Sequence, residues 1–294
     1  MRPIWENTVI HVDVTNACHL KCANCTRHVG HHRNPFFMGL DTVRKGIASL
    51  LDFPGRIGMM GGEPTLHPQF REICAIYRDM IPDRRKREFW TAGWKWGEYR
   101  ADILDTFDED RISYNDHTQL SGRHQPLLVA IEDVVEDPEI RRILIDNCPF
   151  QARWSAAITP KGAFFCEVAA SLDWLFNGPG GYPIEPGWWR KSPAQFADQV
   201  DRYCGSCSGA IPMETLSDGR GGRDGPTRDV VSRKNLDLLI GAGSPKALKG
   251  HVDVWDKPVD QAYVDAHIEG WKPRQFRDFV AHTPEDVKKA IEAA

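Results

Sequence analysis

The chain has 294 residues, 41% of them hydrophobic and 27% charged, as in ordinary globular proteins, so it can form one large domain or a barrel with an appendage. A net charge of -4 without a long basic stretch excludes an electrostatic nucleic-acid binder, and no run of about 18 apolar residues predicts a membrane span. The N-terminal stretch MRPIWENTVIHVDV lacks the features of a secretory signal, so we expect a cytoplasmic protein.

The first half of the sequence alternates short apolar runs with segments of helical spacing. We predict strands over 9–14, 56–60, 87–93, 111–116 and 126–134, and helices over 38–53 and 70–81. Strand–helix alternation implies parallel strands joined by crossover helices, so the fold class is α/β, a partial (β/α) barrel of the TIM type. Functional residues of such folds gather where the strands end.

The pattern changes near residue 148. WSAAITPKGAFFCEVAA (154–170) predicts a β-hairpin with its turn at 160–162, and a helix then leads to CGSC at 204–207. The glycine-rich segment 218–229 predicts a loop. We therefore expect three parts, namely a barrel over 1–147, a small α+β domain over 148–215 and a C-terminal extension over 216–294.

Three cysteines follow the first predicted strand in TNACHLKCANCTRH. Cys18, Cys22 and Cys25, the first cysteine group, have the spacing C-x-x-x-C-x-x-C, and clustered cysteines in a reducing compartment bind metals more often than they form disulfides. Three thiolates so spaced can bind three irons of a four-iron cluster and leave the fourth iron open, as in a catalytic site. The alternative, a zinc site, needs a further ligand, for which three histidines are available: His28, His31 and His32.

These cysteines resemble those of the radical S-adenosylmethionine (SAM) enzymes, which carry the same motif after their first barrel strand. A second motif of that superfamily, GGEP, follows the second predicted strand as Gly61, Gly62, Glu63 and Pro64. The resemblance implies a [4Fe–4S] cluster whose open iron is chelated by SAM. It also implies a flavodoxin- or ferredoxin-type reductant, whose electron cleaves SAM to methionine and a 5′-deoxyadenosyl radical that abstracts hydrogen from substrate.

The same resemblance suggests which residues bind SAM. The glycines of GGEP let the backbone approach the methionine end, and Glu63 or nearby carbonyls can accept from its ammonium group. Thr91 and Ser113 match positions where the superfamily often has a Thr-Asn-Gly turn and a SAM-contacting serine. Asn24 stands where an aromatic residue usually precedes the third cysteine, so the adenine must stack elsewhere or be held by hydrogen bonds.

Four further cysteines form the second cysteine group, with the spacing C-x17-C-x37-C-x-x-C: Cys148, Cys166, Cys204 and Cys207. We predict Cys166 on the second strand of the hairpin. Four thiolates can close a second, auxiliary [4Fe–4S] cluster, and the layout resembles the twitch module, a shortened SPASM domain that follows the barrel in some radical SAM enzymes. A zinc site with four thiolate ligands is the alternative.

A closed second cluster resembles that of the 2-deoxy-scyllo-inosamine dehydrogenase type, in which it accepts an electron during alcohol oxidation. We therefore expect dehydrogenation of a small, sugar-like molecule. The alternatives are a peptide maturase or epimerase and, in another class, an iron–sulfur electron-transfer protein. The first strand begins close to Met1, which leaves no room for a leader-peptide domain and favours a small substrate. Five residues are candidates for the catalytic base: His28, His31, His32, Asp116 and His117.

Overall fold

The computed structural model describes residues 1–115, 124–213 and 227–268. Within these ranges the main sheet has six strands: β1 (Val9–Thr15), β2 (Arg56–Gly61), β3 (Arg87–Thr91), β4 (Ile112–Tyr114), β5 (Ala156–Thr159) and β6 (Gly162–Phe164). Their order is β4-β3-β2-β1-β5-β6, and all neighbours are parallel except the antiparallel pair β5 and β6. The fold is therefore α/β with a mostly parallel sheet, which is compatible with the predicted partial barrel.

Helices alternate with the first four strands, as predicted: α1 (Leu40–Ala48), α2 (Phe70–Met80) and α3 (Trp96–Thr106). Eight more helices and two strands lie in the described remainder: α4 (Ile131–Val134), α5 (Pro138–Asp146), α6 (Pro149–Arg153), α7 (Glu167–Leu175), α8 (Ala197–Tyr203), β7 (Asp229–Val231), α9 (Arg233–Gly241), α10 (Pro245–Leu248), β8 (Val252–Val254) and α11 (Gln261–His267). None of the described helices is both long and apolar enough to cross a lipid bilayer.

The central strand β1 is buried along its whole length. Side chains alternate between the two faces of a strand, and in β1 the even positions are apolar, while His11, Asp13 and Thr15 occupy the other face. The apolar face packs toward α1, where Val12 and Ile158 lie beside Gly46. The opposite face of β1 therefore bears buried polar side chains, which point toward the functional site.

The predicted strand over 126–134 is wrong. Residues Ile131–Val134 form α4, and Leu128 makes an isolated β-bridge with Val231. Val129 and Val135 belong with α4 to a small apolar cluster. Only residues 127–131 form a continuous apolar run, and so short a run is compatible with a buried strand or a buried helix, because its periodicity does not distinguish them.

The predicted hairpin is confirmed, with β5 and β6 paired on either side of the turn at 160–161. Its first strand also pairs in parallel with β1, so the hairpin continues the main sheet. The predicted domain boundaries at 147/148 and 215/216 stay predictions. The final segment EDVKKAIEAA (285–294) predicts a short helix, and it lies outside the described part of the chain.

Candidate functional site

The first cysteine group lies on the irregular loop that follows β1. Its three thiols are partly exposed. Burial, together with the neighbouring Cys25 and against a hydrogen bond from the Leu20 amide, raises the pKa of Cys18 to about 12. Burial and the other two cysteines likewise raise the pKa of Cys22. The other cysteines of the loop therefore lie close enough to Cys18 and Cys22 to disfavour their thiolate forms.

The loop is bonded at its start to the GGEP motif. The amide of Gly62 donates to the carbonyl of Thr15 (2.7 Å), and that of Glu63 to the carbonyl of Ala17 (2.8 Å). Gly61 has φ +147°, and an added Cβ would lie 2.0 Å from the Thr15 oxygen; at Gly62 it would lie 2.2 Å from the Ala17 oxygen. Only glycine permits this packing. These glycines therefore pack against the chain at the start of the cysteine loop, and their predicted approach to SAM stays a prediction.

Glu63 joins the end of β2 to the end of β3. Its carboxylate is fully buried and accepts from the Thr65 amide and hydroxyl, the Thr91 hydroxyl and the Ala92 amide at 2.7–3.2 Å. Burial raises the pKa of Glu63, against the effect of these hydrogen bonds. Because both oxygens already have protein donors, the backbone carbonyls are better placed than the carboxylate to accept from a ligand's ammonium group. Pro64 begins the short helix that follows.

Ser113 lies in β4 opposite Trp90 of β3 and is half-buried. It lies next to Tyr114, the residue of β4 that pairs with Thr91 of β3. Its predicted role toward SAM stays a prediction.

Asn24 is held by protein groups from distant parts of the sequence. It is buried, with φ 51°, and its backbone amide donates to Asp229 Oδ1 at 2.5 Å. Its side-chain oxygen accepts from the Val230 amide at 3.0 Å, and its Nδ2 donates to the His124 carbonyl at 3.4 Å. The position that is usually aromatic therefore anchors the C-terminal segment.

His28, three residues beyond the first cysteine group, is buried with a left-handed backbone, φ 50°. Its Nδ1 lies 2.7 Å from Ser171 Oγ, whereas its buried Nε2 has no hydrogen-bond partner among the described residues. Burial, with the neighbouring His31 and His32, lowers the pKa of His28 well below its ordinary value. The imidazole is therefore neutral.

The other histidine candidates have different surroundings. His31 contacts Asp229 Oδ2 at 2.6 Å and Ser244 Oγ at 2.7 Å. His32 lies 3.0 Å from the Arg27 carbonyl, and burial lowers its pKa to about 4. The remaining candidates, Asp116 and His117, lie outside the described residues.

The second cysteine group is assembled from three separate segments. Burial raises the pKa of Cys204 well above its ordinary value, and Cys148, Cys207 and Cys166 raise it further. Cys166 is not on the hairpin strand as predicted: β6 ends two residues earlier, and Cys166 immediately precedes α7. Cys148 similarly precedes α6. At both positions burial raises the thiol pKa, and amides of the following helix act against that rise.

No three or more His, Cys, Asp or Glu side chains within the described ranges are grouped so as to hold a single metal ion. The members of each cysteine group are instead related by their positions in the fold and by their effect on the pKa values of neighbouring thiols, as at Cys18, Cys22 and Cys204.

A buried polar network connects the two cysteine groups, and sequence reasoning missed it. Arg27, two residues after Cys25, donates to both Asp13 oxygens at 3.2 Å and to Glu167 Oε1 at 2.6 Å. Glu167 directly follows Cys166 and also accepts from Ser155, whose hydroxyl lies 2.8 Å from His11 Nδ1. The one sequence signal was the polar alternation along β1.

Charge compensation within this network is strong. Burial alone would raise the pKa of Glu167, but the Arg27 guanidinium and hydrogen bonds from His11 and Ser155 lower it to about 2. The carboxylate is therefore ionised and paired with a buried guanidinium.

Neither a protein-family profile nor a curated protein matches the chain. Among solved structures, selenomethionine BtrN in an open conformation aligns at 18% identity with a TM-score of 0.42, covering 72% of this chain and 92% of that chain. BtrN in complex with AdoMet and 2-DOIA aligns at 18% identity with a TM-score of 0.41, covering 68% and 87%. Similarity at this level does not assign an activity to the chain, so its function is inferred from its own residues.

Proposed function

We propose that the chain is a radical SAM enzyme that generates a 5′-deoxyadenosyl radical and abstracts hydrogen from a small polar substrate. The observation that carries this proposal is the direct bonding of the cysteine loop to GGEP, through the Thr15 and Ala17 carbonyls. Two motifs that are separate in sequence thereby form one site at the ends of β1 and β2, where parallel α/β folds place their ligands.

The residues of the first cysteine group fit a [4Fe–4S] cluster. Three grouped thiols on one loop supply three thiolate ligands and no fourth, and the Leu20 amide points at the Cys18 sulfur at 3.4 Å. When bound, the cluster supplies the electron that cleaves SAM. The chain's own part is to hold the three sulfur atoms together and to present the GGEP backbone beside them.

The second cysteine group fits a closed cluster with four thiolate ligands. Amides of α6 and α7 oppose the burial cost of the Cys148 and Cys166 thiolates, and the Gly209 amide donates to the Cys207 sulfur at 3.2 Å. Such a cluster would supply an acceptor for one electron.

We infer that the net reaction is oxidation of an alcohol to a carbonyl, an inference that rests on both clusters being present. The carbinol loses a hydrogen atom to the deoxyadenosyl radical, its hydroxyl proton to a base and one electron to the acceptor. The loss of two protons and two electrons balances the formation of the C=O bond.

The test compares iron content after anaerobic reconstitution in the intact protein and in a Cys18/Cys22/Cys25→Ala variant. Two four-iron clusters predict about eight irons per chain, falling to about four, with loss of 5′-deoxyadenosine formation from SAM. Cys74→Ala is the matched control, because Cys74 is a buried thiol in α2 outside both groups. It should leave both values unchanged.

Three results would contradict parts of the proposal. About four irons falling to near zero would remove the second cluster and with it the alcohol oxidation. No deoxyadenosine from the intact, reduced protein, and no effect of SAM on its cluster spectrum, would favour an electron-transfer protein. Deoxyadenosine formed only in the presence of a peptide would favour a peptide-modifying enzyme.

A further inference from the structure

A buried charged cluster lies beside the first cysteine group and comes mostly from the C-terminal region. Asp229, at the start of β7, and Lys246, in α10, are 2% and 4% exposed, and His31 is 2% exposed. Lys246 Nζ donates to Asp229 Oδ1 at 2.8 Å, and His31 Nε2 donates to Asp229 Oδ2 at 2.6 Å. Although burial would raise the pKa of Asp229, His31 and Lys246 lower it, so the carboxylate is ionised.

This cluster holds the backbone of the cysteine loop. Lys246 Nζ donates to the Cys22 carbonyl at 3.0 Å, and Asp229 Oδ1 accepts from the Asn24 amide at 2.5 Å. One residue before Cys22, the Lys21 carbonyl accepts from the Thr227 hydroxyl. Three of four consecutive loop residues are thus bonded through their backbone to residues about 200 positions away.

The packing around Lys246 is equally close. An added Cβ at Gly30 would lie 2.6 Å from both Cδ and Cε of Lys246, so the aliphatic stem lies directly against the backbone that follows the first cysteine group. Burying an ammonium and a carboxylate costs several kcal/mol in desolvation unless each is well paired. Asp229 is paired with both Lys246 and His31, at 2.8 Å and 2.6 Å, so this buried charge is compensated beside the loop.

We propose that Thr227, Asp229 and Lys246 form a C-terminal latch that holds the Lys21–Asn24 part of the loop in ligand geometry and places a positive charge beside the cluster. Asp229 and Lys246 are thus positioning residues for a cluster on Cys18, Cys22 and Cys25. The inference rests on the proposed function, because it requires that cluster. It assigns a role to the C-terminal region, which carries no recognisable motif.

The test uses the reconstituted full-length protein and three variants: Lys246→Met, Asp229→Asn and the double variant. The readouts are the rate of iron release to a chelator, the reduction potential of the SAM-sensitive cluster, and the change that SAM causes in its EPR spectrum. Lys161→Met is the matched control, because Lys161 pairs with the buried Asp173 at 2.6 Å and bonds to neither Cys22 nor Asn24 in the described contacts.

We expect each single variant to release iron from the SAM-sensitive cluster about tenfold faster, as is typical when the groups supporting metal ligands are lost. Lys246→Met should also move the potential to a more negative value, because a nearby positive charge favours the reduced cluster. Lys161→Met should change neither readout.

The double variant separates positioning from simple stability. Removing both charges leaves no unpaired buried ion, so thermal stability should return toward that of the intact protein. The double variant removes one charge of each sign, so its potential should shift less than that of Lys246→Met, but its iron release should stay fast because the Cys22 carbonyl still lacks its donor. Recovery of iron release together with thermal stability in the double variant would overturn the inference.

Failure of this inference is distinguishable from failure of the proposed function. If the intact protein shows no SAM-sensitive cluster, the proposed function fails, and the latch role fails with it. If the intact protein shows that cluster while all three variants match it in iron release and potential, only the latch role is wrong.

Discussion

The two cysteine groups differ in how the chain builds them. The three cysteines of the first group lie within a span of eight residues on one loop. This loop is bonded to the GGEP backbone at one end and to the C-terminal region at the other. The second group comes from three segments, two of them immediately before helices and the third around the short helix Cys204–Ser206. A local motif thus needs distant anchors, whereas a dispersed site depends on the fold to bring its members together.

The groups are also physically connected. Arg27 follows the first group and Glu167 directly follows Cys166 of the second, and their side chains meet at 2.6 Å in the interior beside β1. Because neither residue is a predicted ligand, each can be changed to separate the connection from the two sites.

The largest expected effect is a different loss at each group. Cys22→Ser should abolish deoxyadenosine formation, because it removes one of three ligands at the proposed SAM site. Cys207→Ser should lower iron by about four per chain and keep SAM cleavage. Iron analysis and product detection check both variants, with Cys74→Ser as control. If Cys207→Ser also abolished SAM cleavage, the two groups would not be independent sites.

Next in size is the effect of breaking the connection. Arg27→Met should destabilise the fold by about 3–5 kcal/mol, because it leaves the Asp13 and Glu167 carboxylates buried without the guanidinium that pairs with both. Arg190→Met is the control: its pair with Asp52 is 63% and 51% exposed, so about 0–1 kcal/mol is expected. Urea unfolding of the metal-free proteins measures both. Equal losses for the two variants would contradict a buried link.

A smaller effect concerns pH. The pKa of Glu167 is lowered to about 2 in the folded chain, so its stabilisation is fully present above its ordinary pKa of 4.5 and is lost as the pH falls toward 2. This amounts to about 3 kcal/mol. Unfolding measured at about pH 6 and about pH 3 should show a steeper loss for the intact protein than for Glu167→Gln. Parallel losses would mean that Glu167 is not the titrating group.

The smallest effect tests the local anchor of the first group. Gly62→Ala should cost about 1–3 kcal/mol, because its Cβ would lie 2.2 Å from a backbone oxygen that cannot move aside cheaply. Gly97→Ala is the control, since nothing lies within 4 Å of its added Cβ and alanine favours the helix α3. Thermal unfolding distinguishes them. A neutral Gly62→Ala would show that the loop and GGEP are not rigidly joined.

Several features were readable from local pattern alone. The spacing of the first cysteine group and the position of GGEP are properties of short segments, and the parallel strands followed from the alternation of apolar runs with helical spacing. The antiparallel hairpin was readable because Pro160 and Gly162 mark its turn. Each of these features depends on residues that are near one another in the chain.

Other features were decided only by tertiary contacts. Within the predicted strand 126–134, residues Ile131–Val134 form a helical turn in an apolar cluster. Cys166, predicted on a strand, lies at the start of α7. The Arg27–Glu167 pair joins residues 140 positions apart, and Lys246 meets Cys22 across 224 positions. No local periodicity encodes such a pairing, because a buried ion pair is specified by the packing that removes both groups from water. The sequence by itself determined which residues carry the predicted chemistry, and the tertiary structure decided which residues hold them in place.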